Sequence, residues 1–188
     1  MLVLGIDTET TGLDTQKDSI VELGAVLFEV YDDGSWVPNE RFCSLVYEDG
    51  YTITAEAEKV NGISIQKLKE EGISLRRAIE EVLLLAARAD YIIAHNAQFD
   101  LGMLSNQCQL KKISATEILS KPWLCSIEDL PSNEGKKCLK LSHLAVDYGV
   151  IVNPDELHRV TGDILLMGKM LEKAKADIYE MHRYSIAQ

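Results

Sequence analysis

The stretch "LVLGIDTETTG", Leu2 to Gly12, decides how this 188-residue chain is read. Leu2 to Ile6 is an apolar run that reads as a buried strand, and it ends in two carboxylates one residue apart, Asp7 and Glu9. Side chains alternate faces along a strand, so Asp7 and Glu9 point the same way. Like charges crowded on one face raise carboxyl pKa values and cost stability unless a cation or hydrogen-bond donors compensate. A strand that has simply reached solvent would explain one such pair, so the remainder of the chain must decide.

Outward from this stretch, Ser19 to Tyr31 and Trp36 to Tyr47 read as two more strands, joined as a hairpin through the turn-forming Asp32, Asp33, Gly34 and Ser35. Apolar positions at Leu75, Ala78, Ile79, Val82, Leu83, Ala86 and Ala89 have the spacing of one helix face, with Ser74 placed to cap it. Tyr91 to Ala94 reads as a short buried strand, and a helix after it carries Phe99, Met103 and Leu104 on its buried side. Leu141, Leu144, Ala145 and Tyr148 repeat the helical spacing before a stop at Gly149. A last helix is predicted from near Gly162 into the charged segment Glu172, Lys173, Lys175, Asp177. An antiparallel meander followed by alternating helices and strands predicts an α/β fold, a mixed sheet flanked by helices, built as a single domain over 1–188.

Hydrophobic residues make up 46% of the chain, enough for one sizeable core. Asp plus Glu outnumber Lys plus Arg by 30 to 19, a net charge of −11, which argues against a protein that holds nucleic acid by bulk positive potential. An enzyme whose acidic cluster is neutralised by bound metal is compatible with it. Cys43, Cys108, Cys125 and Cys138 form no CxxC pair and read as reduced thiols. No signal peptide and no membrane-length apolar stretch is recognised, so a cytoplasmic location is expected.

Two further segments place acids where a core pattern does not demand them. "HNAQFD", His95 to Asp100, follows the strand Tyr91 to Ala94, and the carboxyl ends of strands are where α/β proteins commonly bind ligands. "HRVTGD", His158 to Asp163, puts an acid at the start of an apolar helix, a position the helix macrodipole also favours. Five residues is about 140° around a helix, so His158 is read on the loop before it, where a neutral imidazole can accept a proton. His143 and His182 read as ordinary surface or core histidines, and His95 as a structural hydrogen-bonding residue.

"DTETTG", "HNAQFD" and "HRVTGD", in this order with about 90 and then about 60 residues between the key acids, resemble the three motifs of the DEDDh family of 3'-5' exonucleases. Within it the chain is most similar to the proofreading epsilon subunits of bacterial DNA polymerase III. "VELGAVLF" (Val21 to Phe28), "VNGIS" (Val60 to Ser64) and "LSHLAVDYGV" (Leu141 to Val150) extend the likeness over nearly the whole chain. The resemblance implies a ribonuclease H-like fold. It makes Asp7, Glu9, Asp100 and Asp163 the four metal-organising acids and His158 the general base, and places Thr10, Leu13, Asn61 and Phe99 near the terminal nucleotide. The chain departs from the family pattern at Val160, where a small residue is usual, and at Cys125 and Ser126, where an Asp-Thr pair is usual.

Converging carboxylates are hard oxygen ligands, which suit two Mg²⁺ or Mn²⁺ ions rather than Zn²⁺. The expected function is removal of nucleoside 5'-monophosphates from single-stranded or frayed DNA 3' ends by a two-metal-ion mechanism. An RNA 3'-trimming enzyme of the same superfamily is the alternative, and a catalytically silent interaction domain on the same fold is a third reading. Lys136, Lys137 and Lys140 form the best basic cluster for a phosphate backbone. The acidic balance leads us to expect a polymerase or helicase partner, or a homodimer, and no membrane association.

Overall fold

A computed structural model describes residues 1–136, 139–153 and 159–186. The opening run forms β1 (Leu2–Thr10), which continues past the apolar residues, so Asp7 and Glu9 lie inside the strand and not beyond its end. They are held there because β2 (Ile20–Val30) pairs antiparallel along the length of β1, with Asp7 opposite Gly24 and Glu9 opposite Glu22. β3 (Trp36–Leu45) completes the meander after a turn in which Gly34 has φ of 85° and Asp33 accepts hydrogen bonds from Ser35.

Three helices follow: α1 (Ala55–Asn61), α2 (Ile65–Glu71) and α3 (Leu75–Ala86). Each begins with a hydroxyl cap, Thr54, Ser64 and Ser74, whose side chain accepts from a backbone N–H in the first turn. Then come β4 (Tyr91–Ala94), α4 (Ala97–Leu110), the short α5 (Thr116–Leu119) and β5 (Trp123–Cys125). The chain closes with α6 (Leu141–Asp147), α7 (Val160–Lys173) and α8 (Ile178–Ser185). The sheet order is β3-β2-β1-β4-β5, with β4 parallel to β1 and β5 parallel to β4, so the mixed sheet is as expected.

Alternation along β1 divides the core between two layers. Leu4 and Ile6 pack with Ile79 and Val82 of α3 and Met103 and Leu104 of α4. Val3 packs on the other face with Ile93, Leu144 of α6, Ile164 and Met167 of α7 and Met181 of α8. On that face two glycines set the height of α7. A Cβ at Gly5 would stand 2.6 Å from Ile164 Cγ2, and one at Gly24 would stand 2.5 Å from Val160 Cγ2. Larger residues there would lift the helix off the sheet.

The single last helix of the sequence reading is corrected to two. α7 stops at Lys173, Lys175 takes a left-handed φ of 53°, and Asp177 starts α8 by accepting from the N–H groups of Tyr179 and Glu180. A lysine in that conformation breaks the helix without the glycine that usually signals a stop. Among the described residues no helix is long and apolar enough to cross a membrane, and Cys43, Cys108 and Cys125 are free thiols.

Candidate active site

β4 pairs with β1 only through Val3, Leu4 and Gly5. Past Gly5 that edge of β1 has no strand partner among the described residues, and it lies at the carboxyl end of β4, where such sheets commonly bind ligands. Asp7 and Glu9 project toward α7, and Asp163 comes down from the first turn of that helix. One carboxylate oxygen from each of Asp7, Glu9 and Asp163 lies within 4.8 Å of the others. The closeness follows from the packing below it, since Val160 and Ile164 are buried over Gly24 and Gly5. Val160, the bulky departure from the family pattern, is thus accommodated by a glycine on the neighbouring strand.

Asp100 approaches Asp7 from the opposite layer. Asn96 sits at φ 66°, a left-handed conformation that Asn tolerates, and this tight turn from β4 into α4 puts Asp100 in the first helical turn. Its side chain is buried, and Thr8 Oγ1 donates a hydrogen bond to its Oδ1 at 2.7 Å. Thr8 is the residue between Asp7 and Glu9 and points to the other face, so one strand supplies two carboxylates and the hydroxyl that orients a third. Asp100 stands outside the 4.8 Å group but close enough to act electrostatically on Asp7.

The electrostatics are those of a site short of positive charge. Burial, reinforced by Asp100, Asp163 and Glu9, pushes the Asp7 carboxyl well above the usual carboxylate range, against a backbone hydrogen bond at Thr8. Burial and then Asp163, Glu22 and Asp100 push Glu9 up to about 7, with Arg159 opposing. Burial pushes Asp100 up to about 7 in spite of the Thr8 hydroxyl. Crowded buried carboxylates of this kind are what a divalent cation relieves, and an all-oxygen donor set is what it coordinates. The residues present fit such a group.

A pH dependence follows. Glu9 and Asp100 titrate near 4.5 and 3.8 when unperturbed but near 7 in the folded chain. Between those values the folded state holds protons that the unfolded state has lost, so metal-free stability falls as pH rises from about 4 to about 7. A cation that binds the ionised carboxylates restores it. Mn²⁺ is therefore expected to raise the melting temperature more at about pH 8 than at about pH 5, relative to EDTA at each pH. Differential scanning fluorimetry checks this, and an equal or smaller metal shift at the higher pH would contradict it.

The remaining expected site residues divide. His158 lies outside the described residues; its neighbour Arg159 is extended and leads directly into α7. Leu13 is 86% exposed on the loop after β1, free to meet a ligand. Phe99 is half-buried against the α3–α4 core. Thr10 and Asn61 are both buried, and their polar atoms are engaged within the protein. Thr10 Oγ1 donates to Gly12 O at 2.6 Å, Asn61 Nδ2 to Thr10 O at 3.4 Å, and Ile63 N donates to Asn61 Oδ1 at 3.0 Å. They shape the loop that carries Leu13.

His95 has the structural role expected of it. Its Nδ1 is 2.8 Å from Ser126 Oγ and its Nε2 is 2.8 Å from Leu139 O, while burial holds its pKa down. The Ser126 hydroxyl is thereby used although the preceding residue is Cys125. In the basic cluster, Lys136 pairs with Asp147 at 3.5 Å and lies over the Tyr148 ring. Lys140 immediately precedes α6, and Lys137 is outside the described residues. Sequence reasoning missed Glu22, although an acid inside the apolar run "IVELGAVLF" was a visible signal.

With this geometry in hand, comparison with known proteins is informative. The family model described as "Exonuclease" matches residues 4–169. Ribonuclease T of Actinobacillus pleuropneumoniae is 32% identical over 120 residues, covering 58% of this chain and 54% of that protein. DNA polymerase III subunit epsilon of Treponema pallidum is 28% identical over 159 residues, covering 84% of this chain and 68% of that protein. The chain spans about half the length of the ribonuclease T relatives it matches. Among solved structures, E. coli exonuclease I in complex with a dA16 oligonucleotide superposes with a TM-score of 0.79 at 16% identity, over 99% of this chain and 43% of that one. The sheet and its flanking helices thus have the ribonuclease H-like architecture of that structure.

Proposed function

The chain belongs to the exonuclease family, and from that premise we propose that it removes nucleoside 5'-monophosphates from DNA 3' ends, with two Mg²⁺ or Mn²⁺ ions held by Asp7, Glu9, Asp100 and Asp163. The observation that carries this reading is the convergence of three carboxylate oxygens within 4.8 Å, drawn from β1 and α7, where burial and neighbouring acids raise the pKa values of Asp7 and Glu9. When bound, the two ions supply a water of lowered pKa and stabilise charge on the departing 3' oxygen. Asp7 and Glu9 are presented together by one strand face, which holds their spacing rigid. Asp163 is delivered by a helix seated on glycines, and Asp100 is oriented by Thr8. His158, one residue before Arg159, is the proposed general base that takes the proton of the attacking water.

Leu13 and Phe99 flank the proposed position of the terminal nucleoside, where an exposed aliphatic and an aromatic ring can pack against sugar or base. Thr10 and Asn61 serve that contact by shaping the loop after β1. The net charge of −11 means that affinity for the polymer comes from this site and the ions, not from a basic surface. A polymerase or helicase partner, or a second copy of the chain, is proposed to supply the rest.

Preference for DNA is supported by the epsilon relative, whose similarity extends over 84% of the chain. The ribonuclease T relatives support the second reading, 3' trimming of RNA, over a shorter span. The intact set of four acids speaks against a silent interaction module. Parallel digestion of 5'-labelled single-stranded DNA and RNA with Mg²⁺ separates the readings, since the substrates differ at the 2'-hydroxyl. The expected result is EDTA-sensitive shortening of DNA from its 3' end, with RNA slower. Faster RNA shortening would establish the alternative, and no cleavage of either would favour the silent domain.

A further inference from the structure

Leu13 stands exposed on the loop between β1 and β2, and connecting loops are ordinarily the mobile part of a fold. This one is tied down at every turn, and Asp18 is the hub. Its Oδ1 accepts from Thr11 Oγ1 at 2.9 Å and its Oδ2 from Asp14 N at 2.8 Å, so one half-buried carboxylate joins the residues on either side of Gly12 and Leu13. Asp18 N donates to Asp14 O at 2.8 Å. Thr11 and Ser19 close the base: Thr11 N donates to Ser19 O and Ser19 N to Thr11 Oγ1, both at 2.9 Å. The carboxylate lies against the backbone at Gly12, where a Cβ would stand 2.5 Å from Asp18 Oδ2.

The closed loop is seated on α4. Asn106 Nδ2 donates to Thr15 O at 2.8 Å, and Gln107 Nε2 to Asp18 O at 3.1 Å. Thr15 rests over Gly102, where a Cβ would stand 3.3 Å from its Cγ2. Gln107 follows Asp100 by seven residues, about two helical turns, so both lie on one face of α4, and both are buried. The helix that delivers a proposed metal ligand therefore also fixes the loop that carries Leu13. A side chain held in place before its ligand arrives spares binding the cost of ordering it. We propose that Asp18 is a positioning residue: its carboxylate locks loop 11–19 into the shape that presents Leu13 to the terminal nucleoside, in a register with the metal site set by α4. The inference rests on the reading of Leu13 as a nucleotide contact.

The test is a double-mutant cycle with an exchange measurement beside it, using whichever single-stranded oligonucleotide, DNA or RNA, the parent shortens faster. Asp18→Ala is expected to raise KM about 3- to 10-fold, the cost of ordering a loop on binding, with kcat changed less than about 3-fold. Leu13→Ala is expected to raise KM by itself, and Asp18→Ala introduced into it should add less than about 2-fold, because the side chain it presents is gone. Hydrogen–deuterium exchange of the peptide spanning 11–19, without metal or nucleic acid, should be slow in the parent and at least about 10-fold faster in Asp18→Ala. If Asp18→Ala does not fold, Asn106→Ala, which frees Thr15 O from α4, is expected to move KM and exchange in the same directions. The proposal is overturned if KM stays at the parent's value in the variant that folds while Leu13→Ala raises it, if KM rises equally in both backgrounds, or if the loop exchanges as fast in the parent as in the variant. A parent that cleaves neither polymer, or Leu13→Ala with the parent's KM, instead sinks the underlying reading of the site and the proposal with it.

Discussion

Asp7→Asn is expected to abolish measurable metal-dependent cleavage, a loss of roughly 10³- to 10⁵-fold, corresponding to the several kcal/mol that metal ions contribute at a reacting phosphorus. Asp7 is the acid that all the others press upon. It shares a strand face with Glu9, lies within reach of Asp163, and feels Asp100 from the opposite layer. An amide in its place keeps the shape but withdraws a charged oxygen from the centre of the cluster. The same change removes one of several crowded like charges, so the melting temperature in EDTA should rise or hold at about pH 8. Single-turnover digestion of a labelled oligonucleotide and a thermal melt measure the two effects. Retained cleavage, or a large fall in melting temperature, would mean that Asp7 is a structural residue and not a ligand.

His158→Ala is expected to lower kcat by roughly 10² to 10⁴, the usual contribution of a positioned general base. Mn²⁺ binding should survive, because the oxygen donors belong to other residues. The two variants therefore part company: Asp7→Asn loses metal and activity together, whereas His158→Ala loses activity alone. Rates measured across neutral pH should also lose their acid limb in the histidine variant, since no imidazole remains to be deprotonated. A His158→Ala protein that cleaved at the parent's rate over that range would remove the histidine from the mechanism.

The parts of this arrangement that were legible in the sequence are those governed by local periodicity. Asp7 and Glu9 on one face followed from strand alternation, and α3 from its apolar stripe and the Ser74 cap. Where β1 ends was not legible, because the polar "DTET" looks like an exit to solvent; only pairing with β2 and the cover of α7 keep it in the sheet. α1 and α2 are too short to show a stripe, and each buries a single residue, Asn61 and Leu68. Their caps, Thr54 and Ser64, were the readable signals. The break before α8 was written in Asp177 and Glu180, an acid cap with a second acid three residues on, but the left-handed Lys175 gave no warning.

Long-range chemistry was legible only where a motif carried it. Asp100 and Asp163 could be nominated through resemblance, yet nothing local told that Thr8 would hold Asp100, or that Gly5 and Gly24 would let α7 settle low enough to deliver Asp163. The Glu22–Arg159 pair spans the fold from β2 to the head of α7 and depends wholly on tertiary structure. Thr10 and Asn61, which the resemblance placed near the terminal nucleotide, also bond within the loop after β1, and nothing local in the sequence foretold those bonds.

The claim beneath all of this is that Asp7, Glu9 and Asp163 surround bound cations. Diffraction from crystals grown with Mn²⁺, collected where manganese scatters anomalously, tests it most directly. The account requires anomalous density bridging those three side chains. Clean electron density for the three carboxylates with no anomalous scatterer among them, at saturating Mn²⁺ and about pH 8, would contradict it.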